Sequence, residues 1–127
     1  MALTVGLLGG CVDLSTICPH KEITQGVFGE ILDANDALEQ NVEVDIFTIL
    51  NGAKDMQFGS AQTSRGGYQF MALAGTYMVC AKNVCAMVTV PTGLVELSAV
   101  DAASGLTWNA PVAVPPEQTI GPCKFGG

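Results

Sequence analysis

Residues 63–90 read TSRGGYQFMALAGTYMVCAKNVCAMVTV. Apolar side chains recur there at every second position, the period of half-buried strands and not of a helix. Tyr68 and Phe70 point one way and Gln69 the other. Gly75 permits a tight reversal, and Tyr77 with Val79 returns onto the same core. Two further β-like runs flank Lys82 and Asn83. A two-residue turn at that point places Cys80 opposite Cys85 in a non-hydrogen-bonded pair, where side chains approach most closely. Lys-Asn is not the Asn-Gly or Asp-Gly pair that such turns favour, so a longer loop with a slightly offset bridge stays open. Tyr77, Val79, Ala86 and Val88 share one face of this hairpin, and Met78, Cys80, Cys85 and Met87 share the other. Both faces are apolar. The second face is therefore expected to be covered by another sheet, by the C-terminal tail or by another molecule, which makes Met78 and Met87 candidate interaction-surface residues.

Working outward, short β-like runs continue in both directions: ITQGVFGEIL, VEVDIFTIL, GGYQFMALA, GTYMVCA, VCAMVTV, LVELSAV and LTWNAPV. Seven strands on this spacing indicate an all-β sandwich or barrel. In the second run Val42, Val44 and Ile46 alternate inward with Glu43 and Asp45 outward, after which Phe47 and Ile49 make both faces apolar. Asn51-Gly52, Pro91-Thr92-Gly93 and Ala103-Ser104-Gly105 are turn punctuation. LVELSAVDAA also fits a short helix through Leu94, Leu97 and Val100, with strand preferred. The division is an N-terminal signal, anchor or extension at 1–22, a β-domain at 23–110 and an irregular tail at 111–127. Pro111, Pro115, Pro116 and Pro122 keep that tail out of regular structure until Cys123 pins it.

The chain has 127 residues, enough for one core and too few for two. Charged residues make up 13% of it, about half the usual share, while apolar residues make up 49%. That balance excludes disorder and points to surface covered by a partner, a membrane surface or neighbouring copies. A net charge of −7 repels a phosphate backbone, so nucleic acid is excluded as a partner. Glu30, Asp33, Asp36, Glu39, Glu43 and Asp45 fall in one window without Lys or Arg. DANDALEQN lacks the glycine and closing glutamate of a calcium loop, so this run reads as a solvated loop and strand face.

The run MALTVGLLGGC ends at Cys11 and resembles a bacterial lipobox: Leu at −3, small residues at −2 and −1, then the cysteine that receives lipid. It is too short to span a membrane. Five cysteines is an odd number, and setting Cys11 aside leaves two pairs, Cys80 with Cys85 and Cys18 with Cys123. In the chain-entropy model the first contributes about 2 kcal/mol and the second nearly 5, tying the two ends together. Five reduced thiols packed as small hydrophobes are the alternative. Zinc is not expected, because Cys18 and His20 have no second Cys/His pair to complete a tetrahedron. No cofactor is implied.

Thr63, Gly66, Tyr68, Phe70, Leu73, Gly75, Tyr77 and Val79 follow the pattern of the carboxypeptidase regulatory-like group of transthyretin-like domains. Gly26, Val27, Gly29 and Asp33 in GVFGEILDANDA are similar to that family's opening strand, and VEVDIF stands where its second strand should. The resemblance covers roughly residues 23–100. It implies a seven-stranded antiparallel Greek-key β-sandwich with a binding or scaffolding role. An enzyme is disfavoured. His20 is the only histidine, and no G-x-S-x-G nucleophile motif occurs. Asp33 and Asp36 sit in a loop without an apolar pocket to raise one pKa. The more than one His of hydroxyisourate hydrolases, and the set of two Tyr with two His that holds iron in intradiol dioxygenases, are not available, since the chain has a single histidine.

Two readings remain. In the first, Cys11 is lipidated and the domain is an extracytoplasmic module of a bacterial envelope lipoprotein. Its partners are other envelope proteins or copies of itself, and it meets the membrane only through that lipid. In the second, the chain is a structural subunit of an extracellular filament or adhesin, joined by N-terminal strand addition or disulfides. An intramolecular Lys21 isopeptide is a remote third.

Overall fold

The computed structural model describes residues 22–64 and 67–120. They form eleven short strands and no helix: β1 (Gly26–Gly29), β2 (Ile31–Leu32), β3 (Glu43–Leu50), β4 (Ala53–Gln62), β5 (Tyr68–Met71), β6 (Gly75–Ala81), β7 (Val84–Val90), β8 (Leu94–Glu96), β9 (Ala99–Val100), β10 (Thr107–Trp108) and β11 (Val112–Val114). One sheet has the order β4-β3-β6-β7; another runs β11-β8-β1-β5, and a third β10-β9-β2. The last two are one layer interrupted by local breaks. Glu30 separates β1 from β2, and Leu97-Ser98 separates β8 from β9. Hydrogen bonds bridge both breaks, from Leu97 N to Phe28 O (2.8 Å) and from Ala99 N to Glu30 O (2.9 Å). The Ser98 hydroxyl accepts from Glu30 N at 3.1 Å.

The alternation read from the sequence places the core. Val44 and Ile46 of β3, Val79 of β6 and Val88 and Val90 of β7 meet Val27, Ile31, Tyr68, Phe70, Val95 and Leu97 from the other layer. The arrangement is all-β and compatible with a β-sandwich. Tyr68 and Phe70 are both buried, with ring centroids 5.7 Å apart. The Tyr68 hydroxyl donates to the Leu97 carbonyl, so the ring fills the core while its polar end is satisfied. Burial, with the Glu96 charge as a lesser cause, holds the Tyr68 hydroxyl well above the usual tyrosine range. Thr63, the one fully buried polar residue among the described residues, donates to Glu39 O (2.6 Å) and accepts from Val42 N (3.0 Å).

Four expectations need revision. The seven expected runs become eleven strands: the breaks at Glu30 and Leu97-Ser98 split two of them, β10 and β11 divide the last, and β4, the longest strand, falls in AKDMQFGSAQ, which lies outside the expected runs. The sheet is not wholly antiparallel, because β1 pairs with β8 and β2 with β9 in parallel. The tail is not irregular throughout: β11 pairs with β8, and Ile120 bridges Ile23. Gly75 is not among the residues with positive φ, and a β-carbon there would meet nothing closer than 3.5 Å. The glycines that the fold requires stand in β1 instead.

A second, smaller cluster lies on the other side of the β8-β1 sheet, where Ile23, Leu94, Val114 and Ile120 enclose Phe28. Glu96 shares a side of β8 with Leu94 and is half-buried. Burial, followed by repulsion from Glu30, pushes its carboxyl above the usual range, against a smaller opposing effect of its hydrogen bond with Ser98. A carboxyl raised on folding favours the native state most below its unfolded pKa, and that contribution is lost as pH rises through the folded value. Glu96→Gln is therefore expected to raise Tm by about 2–4 °C at pH 7, with the gain shrinking as pH falls through 5 to 4. Thermal melts of both proteins across that range check this.

Candidate interaction surface

Lys82 and Asn83 both have positive φ, 49° and 66°, the left-handed pair of a two-residue turn whose twist matches the flanking strands. The strands therefore meet in register, with Ala81 opposite Val84 and Cys80 opposite Cys85. Cys80 and Cys85 are disulfide-bonded across a Cα separation of 4.0 Å, as expected for a non-hydrogen-bonded pair. No offset loop intervenes. Lysine is an unusual occupant of left-handed backbone, and its side chain has a definite use here. Lys82 Nζ lies 2.8 Å from Glu39 Oε2 and 2.7 Å from Asp101 Oδ2, tying the hairpin tip to two loops. The two carboxylates hold Lys82 above the usual lysine range, and Lys82 holds Asp101 below the usual carboxylate range. Sequence reading did not find this triad, because nothing local links residues 39, 82 and 101.

The hairpin faces divide as the alternation predicts. Val79 and Val88 are buried, with Tyr77 and Ala86 packed beside them. On the outer face, Met78 pairs with Met87 along β7 and with Phe47 along β3; Cys80 pairs with Cys85 and with Asp45. The result is two adjacent rows across three strands, one of Phe47, Met78 and Met87 and one of Asp45 and the disulfide. Met87 is 52% exposed. Lys54 Nζ sits 4.7 Å from the Phe47 ring centroid, a cation over an aromatic face. Asp45, Phe47, Lys54 and the disulfide, but neither methionine, border a shallow concavity of about 340 Å³ that also meets Glu43 and Lys82. Glu43 is pushed above the usual carboxylate range by hydrogen bonding to, and repulsion from, Asp45 two residues along the same face. Chemically the surface is polarizable and apolar at its centre, with a rim that carries both Glu43 and Asp45 and the cations of Lys54 and Lys82; it presents no nucleophile and base pair.

Cover by the C-terminal tail was one expectation for this face, and among the described residues the tail lies elsewhere. Val114 and Ile120 pack on Phe28 in the opposite layer. Sequence reasoning also missed a second apolar area. Met56, Phe58, Met71 and Leu73 are all exposed, and a concavity of about 320 Å³ lined by Phe58, Gly59, Ala61, Phe70 and Met71 separates β4 from β5. Both strands are edges of their sheets. The signal was available in QFGSA, where small residues flank Phe58, but two bulges in β4 obscure the alternation there.

Of the other candidate residues, Cys11, Cys18 and Cys123 lie outside the described residues, as do His20 and Lys21. Asp33 is engaged by its own loop, its Oδ1 accepting from Asn35 N (2.8 Å) and Ala37 N (3.0 Å), so it shapes the turn. Among the described residues no group of three or more His, Cys, Asp or Glu is placed to hold a metal ion, and no helix is long and apolar enough to cross a membrane.

No family model and no curated protein matches the sequence.

Proposed function

We propose that this chain is a non-catalytic, extracytoplasmic binding or scaffolding domain of a bacterial envelope lipoprotein, with a transthyretin-like Greek-key sandwich as its fold. A lipid on Cys11 holds it to the membrane, and the outer face of β3, β6 and β7 docks another envelope protein or a further copy. The observation that carries this reading is the Phe47, Met78 and Met87 row beside the disulfide, an apolar strip that the described residues leave partly open. Apolar strips of this kind on a domain with few charges are characteristic of protein contacts. The disulfide supports an oxidising compartment. Lack of an evident base beside any nucleophile, with His20 the only histidine, supports a role without catalysis.

Fractionation of the native host tests this reading. The chain is expected in the envelope membrane fraction, beginning at Cys11 and carrying acyl mass, and Cys11→Ser is expected to release it to the soluble fraction. A cytosolic chain with unmodified Cys11 and reduced Cys80 and Cys85 would overturn it.

A second reading, a subunit of an extracellular assembly joined by strand addition, is favoured by a separate observation. The outer edge of β4 has no partner strand among the described residues, runs for ten residues and stands beside exposed Phe58 and Met71.

A further inference from the structure

The bond between Cys80 and Cys85 is presented unevenly to solvent. Cys80 is buried, at 6% exposure, whereas Cys85 opposite it is exposed. Sheet order explains the difference: β6 is an inner strand between β3 and β7, and β7 is the edge. Trp108 meets that edge at the Val84 carbonyl (3.1 Å) while packing against the core, so it lies on the side away from the disulfide and leaves Cys85 open.

A thiolate opens a disulfide by attacking one sulfur in line with the bond, from the side opposite the sulfur that leaves. In-line approach to Cys80 crosses β3, where Asp45 is its ladder partner and Glu43 stands two residues along the same face. Carboxylates there repel an incoming anion. In-line approach to Cys85 comes from beyond the sheet edge, over a strand whose residues 84–90 carry no charge. Both access and charge therefore direct attack to Cys85.

The hairpin does not rely on this bond. Its ladder runs without a shift from the Gly75-Val90 pair to the Ala81-Val84 pair, and Lys82 with Asn83 supplies the left-handed turn. Lys82 ties the tip to Glu39 and Asp101, and Val79, Val88 and Val90 are held in the core. A cross-link closing so short a loop constrains the unfolded chain less than one closing a long loop. Exposed disulfides are the labile class, in contrast with buried structural ones.

We propose that the Cys80–Cys85 bond is a thiol–disulfide exchange centre that opens in the folded domain, with Cys85 as the sulfur attacked and a thiol, free or carried by a protein, as the reactant. The incoming thiolate forms a bond to Cys85 Sγ as the Cys80–Cys85 bond breaks, and the electron pair leaves on Cys80 Sγ, which takes a proton from solvent. A second thiolate then attacks the reactant's sulfur in the mixed disulfide and releases Cys85. The two reactant thiols leave as a disulfide, having passed two electrons to the protein. Without a second thiol, Cys80 attacks Cys85 again and restores the original bond, since the ladder keeps the two opposite each other. The centre does not require that the surrounding face dock a protein.

Exposure of the native full-length protein to reduced glutathione, and separately to reduced thioredoxin at equal thiol concentration, tests the centre. After blocking with N-ethylmaleimide, trypsin followed by cleavage at glutamate isolates Cys80 in peptide 66–82 and Cys85 in peptide 83–96. The expected early product carries glutathione on 83–96 and maleimide on 66–82, formed in the folded protein at a rate within about tenfold of that in urea-unfolded protein. Faster opening by thioredoxin assigns a protein dithiol as the reactant, and faster opening by glutathione a small thiol; either supports the centre. The double variant Cys80→Ser, Cys85→Ser is expected to keep a cooperative melt with Tm lowered by roughly 8 °C. In the single variants, the Cys85 thiol of Cys80→Ser is expected to react with maleimide at least about tenfold faster than the Cys80 thiol of Cys85→Ser. Glutathione appearing first on Cys80, opening no faster than the domain unfolds, or a double variant that does not fold would each overturn the proposal.

Discussion

Gly29→Ala is expected to prevent the domain from reaching its native state, or to leave it destabilised by at least about 4 kcal/mol. A β-carbon on Gly29 would stand 1.9 Å from the Leu97 carbonyl oxygen and 2.6 Å from its carbon, and no rotamer change relieves a clash with backbone. That carbonyl lies at the break between β8 and β9 and accepts the Tyr68 hydroxyl, so β1 cannot retreat without uncoupling the buried tyrosine as well. The parallel β1-β8 pairing runs through the same place, with Phe28 opposite Glu96. Gly26 is similarly confined, with φ of +144° and the Phe70 carbonyl oxygen 2.0 Å from a built β-carbon. Gly75→Ala is the control: its added methyl meets only Tyr77, at 3.5 Å, and should change stability by less than about 1 kcal/mol. Urea unfolding of the three proteins separates these outcomes. A Gly29→Ala variant as stable as wild type would mean that β1 and β8 do not approach as described.

Met87→Glu is expected to abolish the proposed docking through the β3-β6-β7 face while leaving the fold intact. Met87 is about half exposed, so a charge there is solvated in the free domain and adds little to unfolding. In a complex the same carboxylate would be buried at the centre of an apolar strip beside Met78 and Phe47, on a surface that already carries Glu43 and Asp45. Burying an unpaired charge at the centre of an interface typically weakens binding by 2 kcal/mol or more, roughly thirtyfold. Chemical cross-linking in intact host cells, read as loss of the wild-type adduct, checks the effect, with an unchanged Tm showing that folding is not its cause. Met87 is a cleaner probe than Met78, which is half-buried and would disturb the sheet itself.

The parts of this molecule that were legible in the sequence are those set by neighbours along the chain. Val44 and Ile46 face inward because alternation in a strand leaves no other option once Glu43 and Asp45 face water. Opposition of Cys80 and Cys85 followed from a two-residue turn alone, and LVELSAV forms two short strands and no helix, with Leu94 and Leu97 buried on opposite sides of the layer. What stayed hidden depends on residues far apart. The breaks at Glu30 and Leu97-Ser98 coincide because two stretches of chain 68 residues apart lie side by side in parallel. The need for glycine at 29 arises from the Leu97 carbonyl, and the use of lysine at 82 arises from Glu39 and Asp101. The tail's cover of Phe28, and not of Met87, is likewise decided by the pairing of β11 with β8.

The most direct test of the proposed docking face is photo-cross-linking in intact cells of the native host, with a benzophenone amino acid placed singly at Met87, Phe58 or Val112, three exposed positions on different parts of the surface. A discrete adduct from position 87, absent from 58 and 112, is the predicted result. Adducts to a second copy from position 58 alone, with none from 87, would contradict the account and make strand addition at the β4 edge the mode of assembly.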